Sequence, residues 1–281
     1  ENYLGGSLAT AQNISDFVKK VYLISALGAK KEKEKFIFKN LNPNIVKNFI
    51  YKENSPTITK TKIFDQLNNN KILGFYEFND KLLGLNQEKK LFKLIQKFSK
   101  KVDAIIISDY GHGLISKSLV SKIKKLKNTF VVNTQINSAN LGYHTISKFN
   151  GYQYAIINEV ELRHELRDRS SKIQDLIKSL SRKLNISNLI VTAGKKGSYL
   201  YNKKSRKLIF CPALAVKIVD KVGAGDAMLS FFSLATAIDK KNPEFALFFG
   251  SLAAAKNIEN QANKFPIKKE ELLKSCYYFL K

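Results

Sequence analysis

From Gln87 onward, the sequence alternates between short apolar runs and longer stretches whose apolar residues recur at helical spacing. The runs DAIIISD, TFVVNTQ, YAIIN and NLIVTAG have the length and the β-branched content of buried strands. The longer stretches predict helices over 87–101, 116–127, 159–167 and 172–185. Such alternation is typical of a mostly parallel sheet that is covered by helices on both faces. The predicted fold class is therefore α/β.

The segments on either side extend this pattern. Near the N-terminus, LATAQNISDFVKK has one apolar helical face, and VYLISALG follows as a strand. Further along, GSYLYNKKSRKLIFCP predicts a hairpin, and three more helices are predicted to start at 224, 243 and 269. A chain of 281 residues that is 44% apolar can bury one large α/β core.

The region at about 45–80 does not have the strand–helix alternation. NIVKNFIYKE, TITKTKIFD and NKILGFYEFND are three extended, β-branched and aromatic segments, separated by polar turns such as QLNNN. This pattern predicts a small antiparallel sheet. An isolated small sheet must bury one face against something else, so we expect a β lid that closes on substrate or on a second subunit.

The net charge is unusually high, at a formal +25 from 48 Lys and Arg against 23 Asp and Glu. Clustered cations would indicate nucleic-acid binding. Here the lysines are spread over nearly every predicted helix, and no basic stripe or RNA-binding signature stands out. We therefore expect solvated basic faces and no nucleic-acid partner.

The cysteines and the hydropathy pattern indicate in which cellular compartment the protein is expected. Cys211 and Cys276 are far apart, and no Cys/His cluster has zinc spacing. No stretch approaches the roughly 18 uncharged apolar residues of a membrane span, and the N-terminus has no signal pattern. We expect a soluble, cytoplasmic protein with reduced thiols and no membrane partner.

Polar residues end four of the predicted strands. They are Asp109, Asn133, Asn158 and Thr192. In open α/β sheets, ligands bind beyond the carboxyl ends of the strands. One such residue can simply cap the next helix, but four on neighbouring elements predict a shared crevice.

The sequence DKVGAGDAMLSFF places Gly223, Ala224 and Gly225 at the start of a predicted helix, directly before Asp226. The first turn of a helix offers unpaired N–H groups and the positive end of the dipole, which favours a bound phosphate. A carboxylate beside an anion site is suited to accepting a proton from an attacking hydroxyl. The alternative is an ordinary helix start, at which Asp226 only complements the dipole.

Three motifs together resemble one family. DKVGAGDAMLSFFSLA resembles the second signature of the ribokinase-like (phosphofructokinase-B) carbohydrate kinases. INEVE matches the family's Asn-x-x-Glu pattern at Asn158 and Glu161, and VTAGKKGSYLY matches its nucleotide segment at Thr192, Gly194 and Gly197. The motifs stand in the family's order, and the resemblance covers essentially the whole chain. The resemblance implies a single ribokinase-like domain over 1–281, with the β lid inserted.

Within the family, the chain is most similar to heptose 7-phosphate kinases of lipopolysaccharide precursor synthesis. YLGGSLATAQNI, TITKTKIFD and IISDYGHGLIS carry this likeness, and VNTQINSANLGYHTISKF resembles a branch that is often joined to a nucleotidyltransferase-like domain. The resemblance implies a fused nucleotidyltransferase domain and a homodimer formed through the lid. Relatives place a strand before the Gly-Gly segment, so we expect that this piece lacks the native first strand.

The resemblance also implies a reaction. Asp226 would accept the proton of a sugar hydroxyl as it attacks the γ-phosphate of ATP, while the amides of Gly223, Ala224 and Gly225 stabilise the transferring group. Mg²⁺ would be positioned partly through Asn158 and Glu161, by way of water.

The remaining roles concern binding. The resemblance implies that three residues line the nucleotide, namely Thr192, Gly194 and Gly197. Four residues would contact the sugar or sugar phosphate, namely Gly5, Gly6, Lys60 and Asp109. Lys60 is equally well explained as an exposed lysine in a Lys-rich chain.

Three positions depart from the family pattern. Ala9 stands where relatives have a sugar-binding Asn, Lys221 replaces a Thr, and His112 replaces a Lys. The phosphoryl-transfer end of the predicted site is therefore intact, while its sugar end is altered. This leaves two readings open, an active sugar kinase and a catalytically weak or inactive binding domain with the kinase fold.

Overall fold

The computed structural model describes residues 1–65, 71–137, 140–141, 143–259 and 264–280. Its strands are β1 (Val21–Gly28), β2 (Ile45–Lys52), β3 (Thr59–Phe64), β4 (Lys71–Glu77), β5 (Ala104–Asp109), β6 (Thr129–Thr134), β7 (Tyr154–Asn158), β8 (Asn188–Thr192), β9 (Ser198–Asn202) and β10 (Lys207–Cys211). Its α-helices are α1 (Ser7–Ser15), α2 (Glu34–Asn40), α3 (Leu85–Ser99), α4 (Lys117–Ile123), α5 (Glu159–Leu166), α6 (Ile173–Lys183), α7 (Ala224–Ile238), α8 (Pro243–Ile258) and α9 (Lys269–Leu280).

The central sheet has six strands in the order β10-β9-β8-β7-β6-β5. Strands β5 to β8 are parallel, and the hairpin of β9 and β10 continues the sheet in antiparallel fashion. The prediction of a mostly parallel α/β sheet is confirmed. The predicted helices over 87–101, 116–127, 159–167 and 172–185 are found as α3 to α6.

Alternate residues of the central strands face two separate helical layers. Val132 and Ile157 pack into the core that contains buried residues of α4, α5 and α6, while Val131 and Ile156 pack into the core of α7, α8 and α9. Both faces are apolar, which explains the continuous apolar runs of the sequence. Phe231 on α7 has no exposed surface, and burying a side chain of this kind stabilises the fold by about 1.5–3 kcal/mol. No described helix has the length and apolar content that crossing a bilayer requires.

The segment 45–52 does not join the predicted antiparallel sheet, and this part of the prediction is wrong. It forms β2 and pairs in parallel with β1, from Val21 opposite Ile45 to Gly28 opposite Lys52. Helix α2 makes the crossover that a parallel pair needs. Ile45 and Ile50 are each only 2% exposed, so the strand is held by core packing.

The antiparallel part of the region is a two-stranded ribbon of β3 and β4, with Thr59 opposite Glu77 and Ile63 opposite Leu73. The predicted turn QLNNN, at 66–70, lies outside the described residues. Ile63, Leu73 and Phe75 are each more than two-fifths exposed. At its base the ribbon is tied to β1 by a hydrogen bond of 3.0 Å from the Gly28 amide to Oγ1 of Thr57.

Candidate active site

The site is built around the N-terminus of α7. Gly223 is the residue before the helix and has a φ of 87°, a conformation that favours glycine. No described side chain caps this helix end. Among the described residues, the amides of Gly223 and Gly225 have no hydrogen-bond acceptor, while that of Ala224 makes a long bond of 3.5 Å to the Lys221 carbonyl oxygen. Free amides at a helix N-terminus can bind an anion.

The carboxylate of Asp226 lies in the first turn of this helix and is only 6% exposed. Two side chains donate to the same oxygen, Oδ1: the hydroxyl of Tyr110 at 2.6 Å and Nε2 of Gln135 at 3.0 Å. Burial raises the pKa of Asp226 to about 6, and the two hydrogen bonds oppose this rise. A carboxylate with this pKa is ionised at neutral pH and is a stronger base than an exposed aspartate.

Tyr110 connects the start of the chain to this base. A Cβ built on Gly6 would lie 3.2 Å from the Tyr110 ring, so the residue directly before α1 packs on the ring. Gly5 has nothing within 4 Å of its equivalent position and is exposed. Gly6 therefore lies against the residue that donates to Asp226, and its neighbour Gly5 borders on open space.

A line of rings runs from Tyr110 to the ribbon. The His112 ring stacks on Tyr110 with 6.5 Å between centroids, and Phe78 lies 5.2 Å from His112. Tyr76 follows at 6.3 Å from Phe78, and Nζ of Lys60 lies 4.7 Å above the Tyr76 ring. Lys60 thus stands at the outer end of a line that leads to Asp226.

Asp109 was predicted to face the open crevice, and this prediction is wrong. Its side chain is 4% exposed and forms an ion pair with Lys148. The same carboxylate accepts a hydrogen bond of 3.0 Å from the Gly111 amide, and Nε2 of His144 lies 2.9 Å from the Asp109 carbonyl oxygen. These contacts hold the loop that carries Tyr110, so Asp109 has a structural role next to the site.

Asn158 and Glu161 form the start of α5. The side chain of Asn158 accepts a hydrogen bond from the Glu161 amide at 2.8 Å, and the Glu161 carboxylate accepts one from the Asn158 amide at 2.8 Å. The two bonds complete a capping box. The other oxygen of Glu161 accepts from the Ile136 amide at 3.0 Å. Burial raises the pKa of Glu161 to about 7.

These oxygens suit Mg²⁺, which prefers carboxylate and carbonyl oxygens and keeps several of its waters. Both oxygens of Glu161 already accept backbone N–H groups. Contact through water therefore fits this pair better than direct ligation. Within the described part of the chain, no three His, Cys, Asp or Glu side chains are grouped to hold a metal directly.

The predicted nucleotide segment lies beside this capping box. Thr192 ends β8 directly opposite Asn158 on β7. Gly194 begins a short 3₁₀ turn, which Gly197 closes, and the Ala193 amide donates to the carbonyl oxygen of Gly197 at 2.8 Å. The turn thus borders the same end of the sheet as Asn158.

Ala9, the altered position of the sugar segment, is 4% exposed. It lines a cavity of about 110 Å³ that also borders on Tyr3, Asn13 and Phe36. None of these residues contacts Asp226 or Tyr110 through a hydrogen bond. The methyl group of Ala9 therefore cannot form a hydrogen bond to a ligand in this cavity.

Three residues around Asp226 and Asp109 were not predicted from the sequence, namely Tyr110, Gln135 and Lys148. Tyr110 lies directly after the polar strand end Asp109, and Gln135 follows the end of β6. Their position beyond two neighbouring parallel strands was the available signal. Lys148 gave no signal, because it is one of many lysines and its burial depends on the fold.

Comparison with curated proteins finds relatives that are longer than this chain. The bifunctional protein HldE of Helicobacter pylori strain Shi470 is 26% identical over 256 residues, which cover 90% of this chain and 54% of that protein. HldE of Aliarcobacter butzleri strain RM4018 is 28% identical over 176 residues, covering 60% of this chain and 35% of that protein. The chain thus spans about half the length of these relatives.

Comparison with solved structures identifies the fold as ribokinase-like. Phosphofructokinase-2 from Escherichia coli in complex with potassium matches with a TM-score of 0.77 at 16% identity, over 99% of this chain and 88% of that one. Ribokinase from Thermotoga maritima matches with a TM-score of 0.71 at 19% identity, over 96% and 85%. The sequence model of the pfkB family carbohydrate kinases matches residues 1–270. The chain therefore belongs to the pfkB family of carbohydrate kinases.

Proposed function

We propose that the chain transfers the γ-phosphoryl group of ATP to a hydroxyl of a sugar or sugar phosphate of the heptose phosphate type. The observation that carries this proposal is the buried, ionisable carboxylate of Asp226 in the first turn of a helix whose N-terminus has no side-chain cap. A proton acceptor and an anion site thus lie within a few atoms of each other. Phosphoryl transfer to an alcohol needs both.

In this proposal Asp226 takes the proton of the attacking hydroxyl. Its Oδ1 already accepts two hydrogen bonds, and no donor among the described residues reaches Oδ2. The oxygen–phosphorus bond forms as the hydroxyl proton moves to Oδ2 and the bond to the leaving ADP breaks. The amides of Gly223, Ala224 and Gly225 stabilise the charge on the transferring group.

The nucleotide is held at the ends of β7 and β8. Thr192, Gly194 and Gly197 line it, since their turn lies beside Asn158. Asn158 and Glu161 position Mg²⁺ through water, and the bound ion neutralises charge on the phosphates.

The acceptor sugar lies between α1 and the ribbon. Open space adjoins Gly5, and Gly6 packs on the Tyr110 ring. Lys60 supplies a positive charge at the ribbon end of the ring line. The likeness of the GGSLATAQNI and SDYGHG segments to heptose 7-phosphate kinases supports a phosphorylated heptose as the substrate class. Lys60 would contact its phosphate as a charged hydrogen-bond donor.

Sugar-dependent ADP release from Asp226→Asn tests the proposal. The amide keeps the shape of the side chain but cannot take the proton, so turnover should fall by roughly 10² to 10⁴. ATP affinity should change little. Asp175→Asn is the matched control, because Asp175 lies on the exposed side of α6 and its side chain is 67% exposed. Turnover by Asp226→Asn that equals the control would refute the assignment.

A second candidate is a binding domain that keeps the kinase fold without turnover. Ala9 and His112 favour it, because the resemblance assigns both positions to the sugar end of the site and both differ from the family's residues. A panel of sugars and sugar phosphates, assayed for ADP release together with ligand affinity, separates the two. Binding without ADP release for every member would support the second candidate.

We also propose that the outer face of the ribbon pairs with a second copy of the chain. Ile63, Leu73 and Phe75 lie on one face of the ribbon, and all are more than two-fifths exposed. Sedimentation velocity over a range of concentrations tests this, and Leu73→Lys should shift the protein to a monomer. A monomer at every concentration for the unmodified chain would refute it.

We further propose that the domain works beside a fused nucleotidyltransferase domain. The support is that the chain spans about half the length of its HldE relatives. The reading frame of the full gene decides this directly.

A further inference from the structure

We propose that Tyr110 and Gln135 are positioning residues that hold the carboxylate of Asp226 by Oδ1 and leave Oδ2 as the proton-accepting atom. The inference rests on the proposed function, because it concerns how the same base is oriented. Neither residue was predicted from the sequence to belong to the site.

The geometry of the contacts supports this role. Tyr110 follows β5 and Gln135 follows β6, so the two donors approach from the ends of adjacent strands that pair in parallel. Both reach the same oxygen, at 2.6 and 3.0 Å. Two donors on one oxygen fix the rotation of a carboxylate about its last side-chain bond. A proton acceptor that is already held in the reactive orientation lowers the entropic cost of reaching the transition state.

Tyr110 is itself held on several sides. Its carbonyl oxygen accepts hydrogen bonds from Nδ2 of Asn140 at 2.9 Å and of Asn137 at 3.2 Å. Its ring packs against Gly6 and against the ring of His112. The donor therefore has little freedom to follow Asp226 if the carboxylate turns away.

The protonation states agree with these directions of donation. Burial raises the pKa of Tyr110 well above its usual range, and the charge of Asp226 adds to this. The phenol therefore keeps its proton and remains a donor while Asp226 is ionised. Because both donors bind the charged carboxylate, removing either one should raise the pKa of Asp226 further.

Among the described residues, few other charges lie on the elements packed around Asp226. Helix α1 carries no charged residue, and β6 carries none. At the end of β5, Asp109 is neutralised by Lys148. The helix α8 contributes Lys256, which lies 2.9 Å from Glu259, and Lys221 before α7 is exposed. His112 lies one ring beyond Tyr110, and burial lowers its pKa.

Tyr110→Phe and Gln135→Leu test the inference, each measured for the pH dependence of kcat/KM and for the pKa of Asp226. The pKa is read by ¹³C NMR of the labelled carboxyl groups, with Asp226→Asn used to assign the signal. We expect kcat to fall by about tenfold in each variant, since each loses one hydrogen bond to a charged group. The carboxyl pKa and the acid limb of kcat/KM should both move to higher pH by about one unit. KM for ATP should stay within about twofold of the wild type.

Tyr152→Phe is the matched control, because the hydroxyl of Tyr152 is also buried and hydrogen-bonded, to the carbonyl oxygen of Val120 at 3.1 Å. It should lower stability without moving the acid limb. If Tyr110→Phe does not fold, Gln135→Leu carries the same test from the other donor. Wild-type turnover with an unchanged carboxyl pKa and acid limb in the folded variants would overturn the inference alone. Absence of any sugar-dependent ADP release from the wild type would instead defeat the proposed function.

Discussion

The backbone amide of Ile136 donates a hydrogen bond of 3.0 Å to Oε1 of Glu161, so one side chain joins the loop after β6 to the helix after β7. The neighbouring residue, Gln135, donates to Asp226. Asp226, the proposed general base, and Glu161 of the capping box are therefore connected through two adjacent residues. Both carboxylates are buried, and burial raises both pKa values.

These raised pKa values predict how stability depends on pH. Glu161 has a pKa of about 7 and Asp226 a pKa of about 6 in the folded protein, against roughly 4 for unfolded carboxyls. Between these limits the folded state binds more protons than the unfolded state, so the contribution of both groups to stability is lost as the pH rises. We expect it to be fully present near pH 4 and absent above pH 7.

The measurement is a difference between variants. Asp226→Asn removes a buried charge, so it should be more stable than the wild type at pH 8, by on the order of 2 kcal/mol. The advantage should shrink toward pH 4.5, where the wild-type carboxyl is protonated. Urea unfolding at four pH values is sufficient. A difference that stays constant with pH would contradict the raised pKa of Asp226.

Removing the partner of Asp109 should be strongly destabilising. Lys148→Met leaves the Asp109 carboxylate buried without its ion-pair partner, and this kind of loss costs about 3–5 kcal/mol. The double variant Lys148→Met, Asp109→Asn should recover part of the loss. Lys183→Met is the control, because Lys183 pairs with Glu165 while about half of the lysine side chain is exposed. Loss of such an exposed ion pair should cost less than about 1 kcal/mol. Equal losses for the two lysines would argue against a structural role for the buried pair.

A side chain at Gly197 should disturb the 3₁₀ turn at 194–197, which we propose lines the nucleotide. Gly197 has a φ of 94°, and a Cβ there would lie 2.3 Å from the carbonyl oxygen of Cys211. Gly197→Ala should lower stability by roughly 1–3 kcal/mol and weaken ATP binding. Gly84→Ala is the control, since nothing lies within 4 Å of its equivalent position and its φ is −61°. Calorimetry with ATP and thermal unfolding report both effects, and an intact ATP affinity in Gly197→Ala would count against the nucleotide assignment.

Lys60 should affect the phosphorylated substrate alone. Lys60→Gln removes a charge at the ribbon end of the ring line, and a hydrogen bond to a charged group contributes about 1.5–3 kcal/mol. KM for the sugar phosphate should therefore rise by about tenfold or more, while KM for ATP is unchanged. Lys90→Gln, on the exposed side of α3, is the control. If KM for the sugar phosphate is the same in both variants, Lys60 does not contact the substrate phosphate.

The sequence by itself determined the layering of the fold and the place of Asp226 at a helix start. Apolar runs such as YAIIN bury both faces of a strand, and the spacing of apolar residues marks the helices, because these patterns follow from local backbone geometry. The position of Asp226 in the first turn of α7 was predicted for the same reason, since GAGD directly precedes the apolar helix. Local periodicity does not say which way a neighbouring strand runs. The parallel pairing of 45–52 with β1 was therefore missed.

Only the tertiary structure decided what surrounds Asp226. Its Tyr110 donor is 116 positions away in the chain and its Gln135 donor 91. No local pattern encodes such contacts, because they arise when β5 and β6 pair and α7 packs across their ends. Burial of Asp109 against Lys148 arises in the same way. The pKa of a carboxyl depends on how much water the fold excludes, so the sequence supplied the aspartate and the packing supplied its basicity.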